Sequence, residues 1–139
     1  RRCEPANGIE MNDIQHLMSQ QGPKPVGPFS HAVRAGDFLF VTGQMPTMPD
    51  DPSKVVNGGI KEQTHRVMKN LKLVLEGLES SLDRVVFARV YLVNFQNFDR
   101  MNKVYSSYFP VNRLPGRTCI GVTGLAVGAL VEIDLTVAC

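Results

Sequence analysis

The chain of 139 residues has no tryptophan, three cysteines and three histidines, and each scarcity closes off a class of function. Cys3, Cys119 and Cys139 are an odd number with no metal-like spacing, so they read as free thiols in a reducing compartment. His16, His31 and His65 are too dispersed for a metal site, and neither HExxH nor CxxC occurs. No apolar run approaches the ~20 residues of a membrane span, and no charged-then-apolar leader opens the sequence. Charge of one sign is missing as well. Fifteen Lys and Arg against thirteen Asp and Glu leave a scattered net +2. Nucleic-acid binding needs a clustered basic surface that displaces counterions, so that partner is disfavoured.

What is present is ordinary globular material, 43% apolar and 20% charged, in a length that buries a proper core. Residues 1–21 read as an N-terminal extension in which IEMNDIQHLMSQQ has a weak pattern for a short helix. Residues 22–139 read as one domain. SHAVRAG and FLFVTGQ flank the turn Ala35-Gly36-Asp37 and predict a β-hairpin. A loop carrying Pro46, Pro49, Pro52 and Gly58-Gly59 follows. Ile60, Thr64, Val67, Met68, Leu71, Val74, Leu75 and Leu78 recur at helical spacing, with Gly77 placed to cap the helix. VVFARVYLVN, apolar on both faces, predicts an inner strand. Asn97 is a candidate N-cap for a second helix, carrying Phe98, Met101, Val104, Tyr105 and Tyr108 on one stripe before Pro110. RTCIGVTGL and ALVEIDLTVAC predict two closing strands, paired as a hairpin around residues 126–129.

The order β-β-α-β-α-β-β predicts an α+β fold, with two helices on one face of a mixed sheet. Strand alternation then sorts side chains. Val131, Ile133, Leu135 and Val137 fall on one face, expected under the helices, and Glu132 and Asp134 on the other. In the preceding strand Thr118, Ile120 and Val122 share the apolar face, which leaves Arg117 and Cys119 with Glu132 and Asp134 on the bare one. A bare sheet face of mixed character is expected to meet another subunit.

Arg117, with Pro115 and Gly116 ahead of it and a short apolar strand behind, is the first candidate for chemistry. A guanidinium holds a carboxylate through two parallel hydrogen bonds, but a structural ion pair with Glu132 or Asp134 is the commoner role of a strand-edge arginine. Glu132, between Val131 and Ile133, is either a partly desolvated acid able to orient water or the partner of a local cation. Cys119 has no histidine in evident relation to it and fits a small hydrophobe better than a nucleophile. His65 reads as solvated on a charged helix flank, and His31 as structural. Thr42 and Gly43 lie where a strand meets a loop.

GPFSHAV, FLFVTGQMP, NFDRMNKVYSSYF, LPGRTCIGV and ALVEIDLTVA, in this order, resemble the RidA (YjgF) family over roughly residues 22 to 139. The resemblance implies a chorismate-mutase-like fold, a cytoplasmic homotrimer and sites in the clefts between subunits. The implied activity is hydrolysis of reactive 2-imino acids, or their enamine tautomers, to 2-keto acids and ammonia, with no cofactor and no metal. Residue by residue it implies Arg117 as the carboxylate binder, Glu132 as the group positioning water, and Phe29, Thr42, Gly43, Asn102 and Cys119 as pocket residues. Phe29 stands where the family commonly has tyrosine, Ala126-Val127 where it has Pro-Lys, and His31 where it has Gln or Val. These departures bear on substrate preference. The resemblance also keeps two other readings in view: an endoribonuclease, and a non-catalytic binding module for keto acids or protein partners.

Overall fold

The computed structural model describes residues 13–139. Six strands form the main sheet: β1 (Gln15–Leu17), β2 (Ala32–Ala35), β3 (Phe38–Gln44), β6 (Val85–Leu92), β7 (Gly116–Gly121) and β8 (Val131–Ala138). Between β3 and β6 lie β4 (Thr47–Met48), β5 (Asp51–Val55) and helix α1 (Ile60–Gly77), and between β6 and β7 lies helix α2 (Phe98–Ser106). The sheet order is β1-β2-β3-β8-β6-β7, all antiparallel except the β6–β7 pair. The architecture is the expected α+β one. One face of the sheet carries both helices, and Leu39, Val41, Ala88, Val90, Leu92 and the four apolar residues of β8 meet Val67, Met68, Leu71 and Val74 of α1 in one core. Removing a large side chain there, Leu71→Ala for instance, belongs to a class costing about 2–5 kcal/mol.

Four local expectations are corrected. The stretch IEMNDIQHLMSQQ holds no helix in its described part, because residues 15–17 pair with β2 as an edge strand. The proline-rich loop contains the two-stranded ribbon β4–β5, in which Pro52 is tolerated because a ribbon edge leaves its missing N–H unused. Gly77 does not cap α1. The left-handed turn is taken by Glu79, φ 59°, and the N–H groups of Glu79 and Ser80 return to the carbonyls of Glu76 and Leu75 in a Schellman arrangement. Gly77 is small for another reason: a Cβ there would land on the Ser19 side chain. Finally β7 and β8 are not partners. β6 lies between them, pairing Ala88 with both Arg117 and Leu135.

Polar residues of the helices tie down the segments that lead to the site. The Asn70 amide, fully buried, donates to the carbonyls of Met45 at 3.0 Å and Thr47 at 2.8 Å. Gln63 accepts from the Leu130 N–H at 2.8 Å, just ahead of β8. His31 accepts from the Ser19 N–H at Nδ1 (2.8 Å), so its Nε2 carries the proton given to the Pro23 carbonyl (2.6 Å). The ring is structural, as its sequence setting predicts. His31→Ala would orphan two backbone groups, each worth about 1–3 kcal/mol. Thermal unfolding of that variant is expected to show a loss of about 3 kcal/mol, and an unchanged Tm would contradict this role.

Candidate active site

The site residues expected from the sequence divide into two groups, and each is built by a different part of the sheet. The first forms at a bulge in β3. Val41 opposes Leu135 and Gln44 opposes Ile133, so Thr42 and Gly43 together face a single residue of β8. The bulge turns the Thr42 hydroxyl onto the Ser30 carbonyl, to which it donates at 2.6 Å. Gly43 lies against the carboxylate of Glu132, and a Cβ at that position would collide with it. This close approach, not a left-handed backbone, is what requires the glycine. Phe29, 39% exposed, lines a narrow pocket here with Pro23, Lys24, Gly43 and Met45.

Glu132 is half-buried and has no hydrogen-bond or ion-pair partner among the described residues. Burial, and secondarily the charge of Asp134, pushes its carboxyl above the usual glutamate range. Asp134 itself is fully engaged on the bare face. It accepts from Arg89 at 2.8 Å and from the Tyr91 hydroxyl at 2.8 Å.

The second group lies at β7, and here the sequence reading is corrected. Arg117 and Cys119 align with Ala88 and Val90 and face the helices, whereas Thr118 and Ile120 occupy the bare face with Glu132 and Asp134. Alternation was read correctly, but its apolar face was assigned to the wrong side. Ile120 is 46% exposed, and the bare face is of mixed character, with Phe40, Phe87 and Ile120 exposed beside Arg89, Tyr91, Glu132 and Asp134. A cation sits beneath a helix because aromatic rings cover it. The Arg117 guanidinium carbon lies over the rings of Phe98 at 5.7 Å and Tyr105 at 4.9 Å, and one terminal nitrogen is 3.9 Å from the Met101 sulfur. No carboxylate among the described residues pairs with it. Both ion-pair explanations, with Glu132 and with Asp134, are thereby removed.

Asn102 lies one turn on from Phe98 on α2 and has a buried side-chain oxygen without a partner. Cys119 packs against the core, and burial raises its thiol above the ordinary value, with Arg117 opposing more weakly. That is the environment of an inert thiol. Alkylation of Cys119 by iodoacetamide, followed by peptide mass spectrometry, is expected to be slower than that of a free thiol. A faster reaction would overturn this reading.

His65 is not solvated as its sequence setting predicts, since its ring meets the Tyr108 hydroxyl at 2.8 Å. Val127, in the loop that departs from the family pattern, has φ 54°, an uncommon conformation for a β-branched residue. The roomier surface cavities, near Met18 and Pro49 and between Lys72 and Tyr108, contain neither Arg117 nor Glu132. Among the described residues no group of three His, Cys, Asp or Glu is arranged to hold a metal, and no helix is long and apolar enough to cross a membrane. What the sequence did not reveal is the cover over Arg117. Phe98, Met101 and Tyr105 read as core, although two aromatic rings and a thioether at positions i, i+7 and i+3 beside a strand-edge arginine are the signal for it.

Comparison with known proteins decides the lineage. Residues 19–139 match the family described as Endoribonuclease L-PSP. The chain belongs to the Rid (L-PSP) family. A RutC family protein of Pyrococcus abyssi is 42% identical over 118 residues, covering 85% of this chain and 91% of that one. One from Saccharolobus solfataricus is 44% identical over 119 residues, covering 86% and 93%. Among solved structures, the Rid protein YyfA of Yersinia pestis superposes with a TM-score of 0.85 at 30% identity, over 91% of this chain and all of that one. The sheet and helices of this Rid protein are thus those of its family.

Proposed function

We propose that the protein hydrolyses 2-imino acids, such as 2-iminobutyrate and the tautomer of 2-aminoacrylate, to 2-keto acids and ammonia. The observation that carries this reading is the unpaired guanidinium of Arg117, half-buried and held on aromatic faces with no acid beside it. A cation kept without a protein counter-charge is matched to an anionic ligand, and its fork suits a carboxylate. The atoms balance simply. One water adds to the imine carbon and gives a first proton to nitrogen, forming a carbinolamine. The proton of its new hydroxyl then passes to nitrogen as well, and ammonia leaves as the carbonyl forms. Glu132, with its raised pKa and free oxygens, takes the proton from water and returns it to nitrogen. Arg117 fixes the carbon at which the attack occurs. In the assembled site Thr42, Gly43 and Phe29 are proposed to line the Glu132 side, and Asn102 and Cys119 the Arg117 side.

The working unit is proposed to be a homotrimer with sites between subunits, for which the exposed Phe40, Phe87 and Ile120 supply apolar contact area on the mixed bare face. Its compartment is proposed to be the cytoplasm, on the unpaired thiols of Cys119 and Cys139; Cys3 lies outside the described residues. Ribonuclease action is not adopted, because a net charge of +2 with scattered basic residues disfavours a phosphate-binding surface. The deciding experiment generates 2-iminobutyrate in situ with a dehydratase and follows its disappearance. Acceleration by the protein, abolished in Arg117→Ala, is the expected result. Binding of keto acid without acceleration would leave a non-catalytic module.

The pH profile follows from Glu132. As a base it must be ionised, so kcat/KM is expected to fall as pH drops through its raised pKa, above the range of an ordinary glutamate. Asp134→Asn removes one of the two causes of that shift, so the acid limb should move to lower pH. An acid limb that stays in place in this variant would dissociate Glu132 from the titration.

A further inference from the structure

The aromatic residues of and around α2 form two ring pairs, and Arg117 touches one member of each. Ring centroids are 5.0 Å apart from Phe95 to Phe98 and 5.1 Å apart from Tyr105 to Phe109. The guanidinium carbon contacts one ring of each pair, lying 5.7 Å from the Phe98 centroid and 4.9 Å from that of Tyr105. Tyr105 is 4% exposed and its buried hydroxyl has no partner, so the interaction it offers Arg117 is that of its ring. The negative face of an aromatic ring attracts a cation without occupying its N–H groups. An arginine paired with a carboxylate would have spent those groups. Arg117 is instead fixed by interactions that put no carboxylate on its fork, one terminal nitrogen making only the long contact to the Met101 sulfur at 3.9 Å. A long side chain ordered before binding also loses less freedom when a ligand arrives.

From this geometry we infer that Tyr105, together with Phe98, is a positioning residue: the two rings hold the Arg117 guanidinium with its N–H edge free to receive the substrate carboxylate. The inference rests on the reading of Arg117 as the carboxylate anchor. Tyr105 touches neither the reacting carbon nor the attacking water and acts only through Arg117.

The test titrates the intact protein, Tyr105→Leu and Tyr105→Phe with 2-oxobutanoate by calorimetry. In parallel, NMR follows the Nε–Hε resonance of Arg117, identified by its loss in Arg117→Lys. Ring currents are expected to place that resonance upfield in the intact protein. Tyr105→Leu is expected to bind the keto acid about tenfold more weakly, the worth of one cation–π contact, and to lose much of the upfield shift. Tyr105→Phe keeps the ring and is expected to restore both. A folded Tyr105→Leu protein with undiminished affinity overturns the inference, and so does a Tyr105→Phe protein as weak as Tyr105→Leu. If Tyr105→Leu does not fold, Phe98→Leu is judged by the same criteria. Failure of the underlying reading shows itself in the intact protein instead: an upfield Arg117 resonance with no keto-acid binding would remove Arg117 as an anchor, and the positioning role with it.

Discussion

Arg117→Lys is expected to lower kcat/KM for imine hydrolysis by roughly a hundredfold or more, although the charge is kept. Each charge-assisted hydrogen bond to a carboxylate is worth about 1.5–3 kcal/mol, and about 1.4 kcal/mol is a factor of ten in rate. Lysine is a point donor that cannot make the two parallel bonds which set the orientation of the carboxylate. It also loses the seat between the rings of Phe98 and Tyr105, because the ammonium would not lie where the guanidinium carbon lies. The loss is therefore one of geometry more than attraction, and it should appear in kcat as well as KM. Near-normal kcat/KM in a folded, assembled Arg117→Lys protein would remove Arg117 from the mechanism.

How far the sequence led can be traced through particular residues. The hairpin of β2 and β3, the α1 periodicity from Ile60 to Leu75 and the inner character of β6 were legible because each is set by local pattern. The two helices on one face followed from the alternation in β8, where Val131, Ile133, Leu135 and Val137 are all buried. The position of β7 was not legible. Whether two consecutive strands pair directly or are separated by a third is decided by tertiary packing, and a loop of residues 122–130 permits either. The same non-local choice inverted the faces of β7. Thr118, Ile120 and Val122 are the more apolar alternating set, which points Arg117 to the uncovered side; the rings of Phe98 and Tyr105 that make a charge tolerable beneath a helix lie on a separate element. Gly43 was visible as a glycine at a strand end, but its reason, the carboxylate of Glu132 packed against it, belongs to β8, some ninety residues on.

Arg117→Ala and Glu132→Ala, each expected to be inactive alone, should restore activity when unfolded and refolded together. The argument is geometric and no longer depends on a hairpin between β7 and β8. Glu132 lies in register with Tyr91 and Ile120, so Arg117 is three residues along and two strands across. At the usual strand rise and spacing that is about 10 Å in each direction, or roughly 14 Å between backbones. The two side chains also leave opposite faces of the sheet. A four-carbon imino acid, roughly half that length at ordinary bond lengths, cannot touch both within one chain. A second copy docked on the bare face, bringing its own β7 edge toward Glu132, closes the gap. If each site takes Arg117 from one subunit and Glu132 from its neighbour, random mixing in equal amounts makes about one interface in four fully wild-type. Recovered activity near a quarter of the wild-type value is then expected in mixed trimers. Mixed assemblies verified by mass spectrometry that stay inactive would show that one subunit supplies both groups, or that Glu132 and Arg117 do not serve the same reaction.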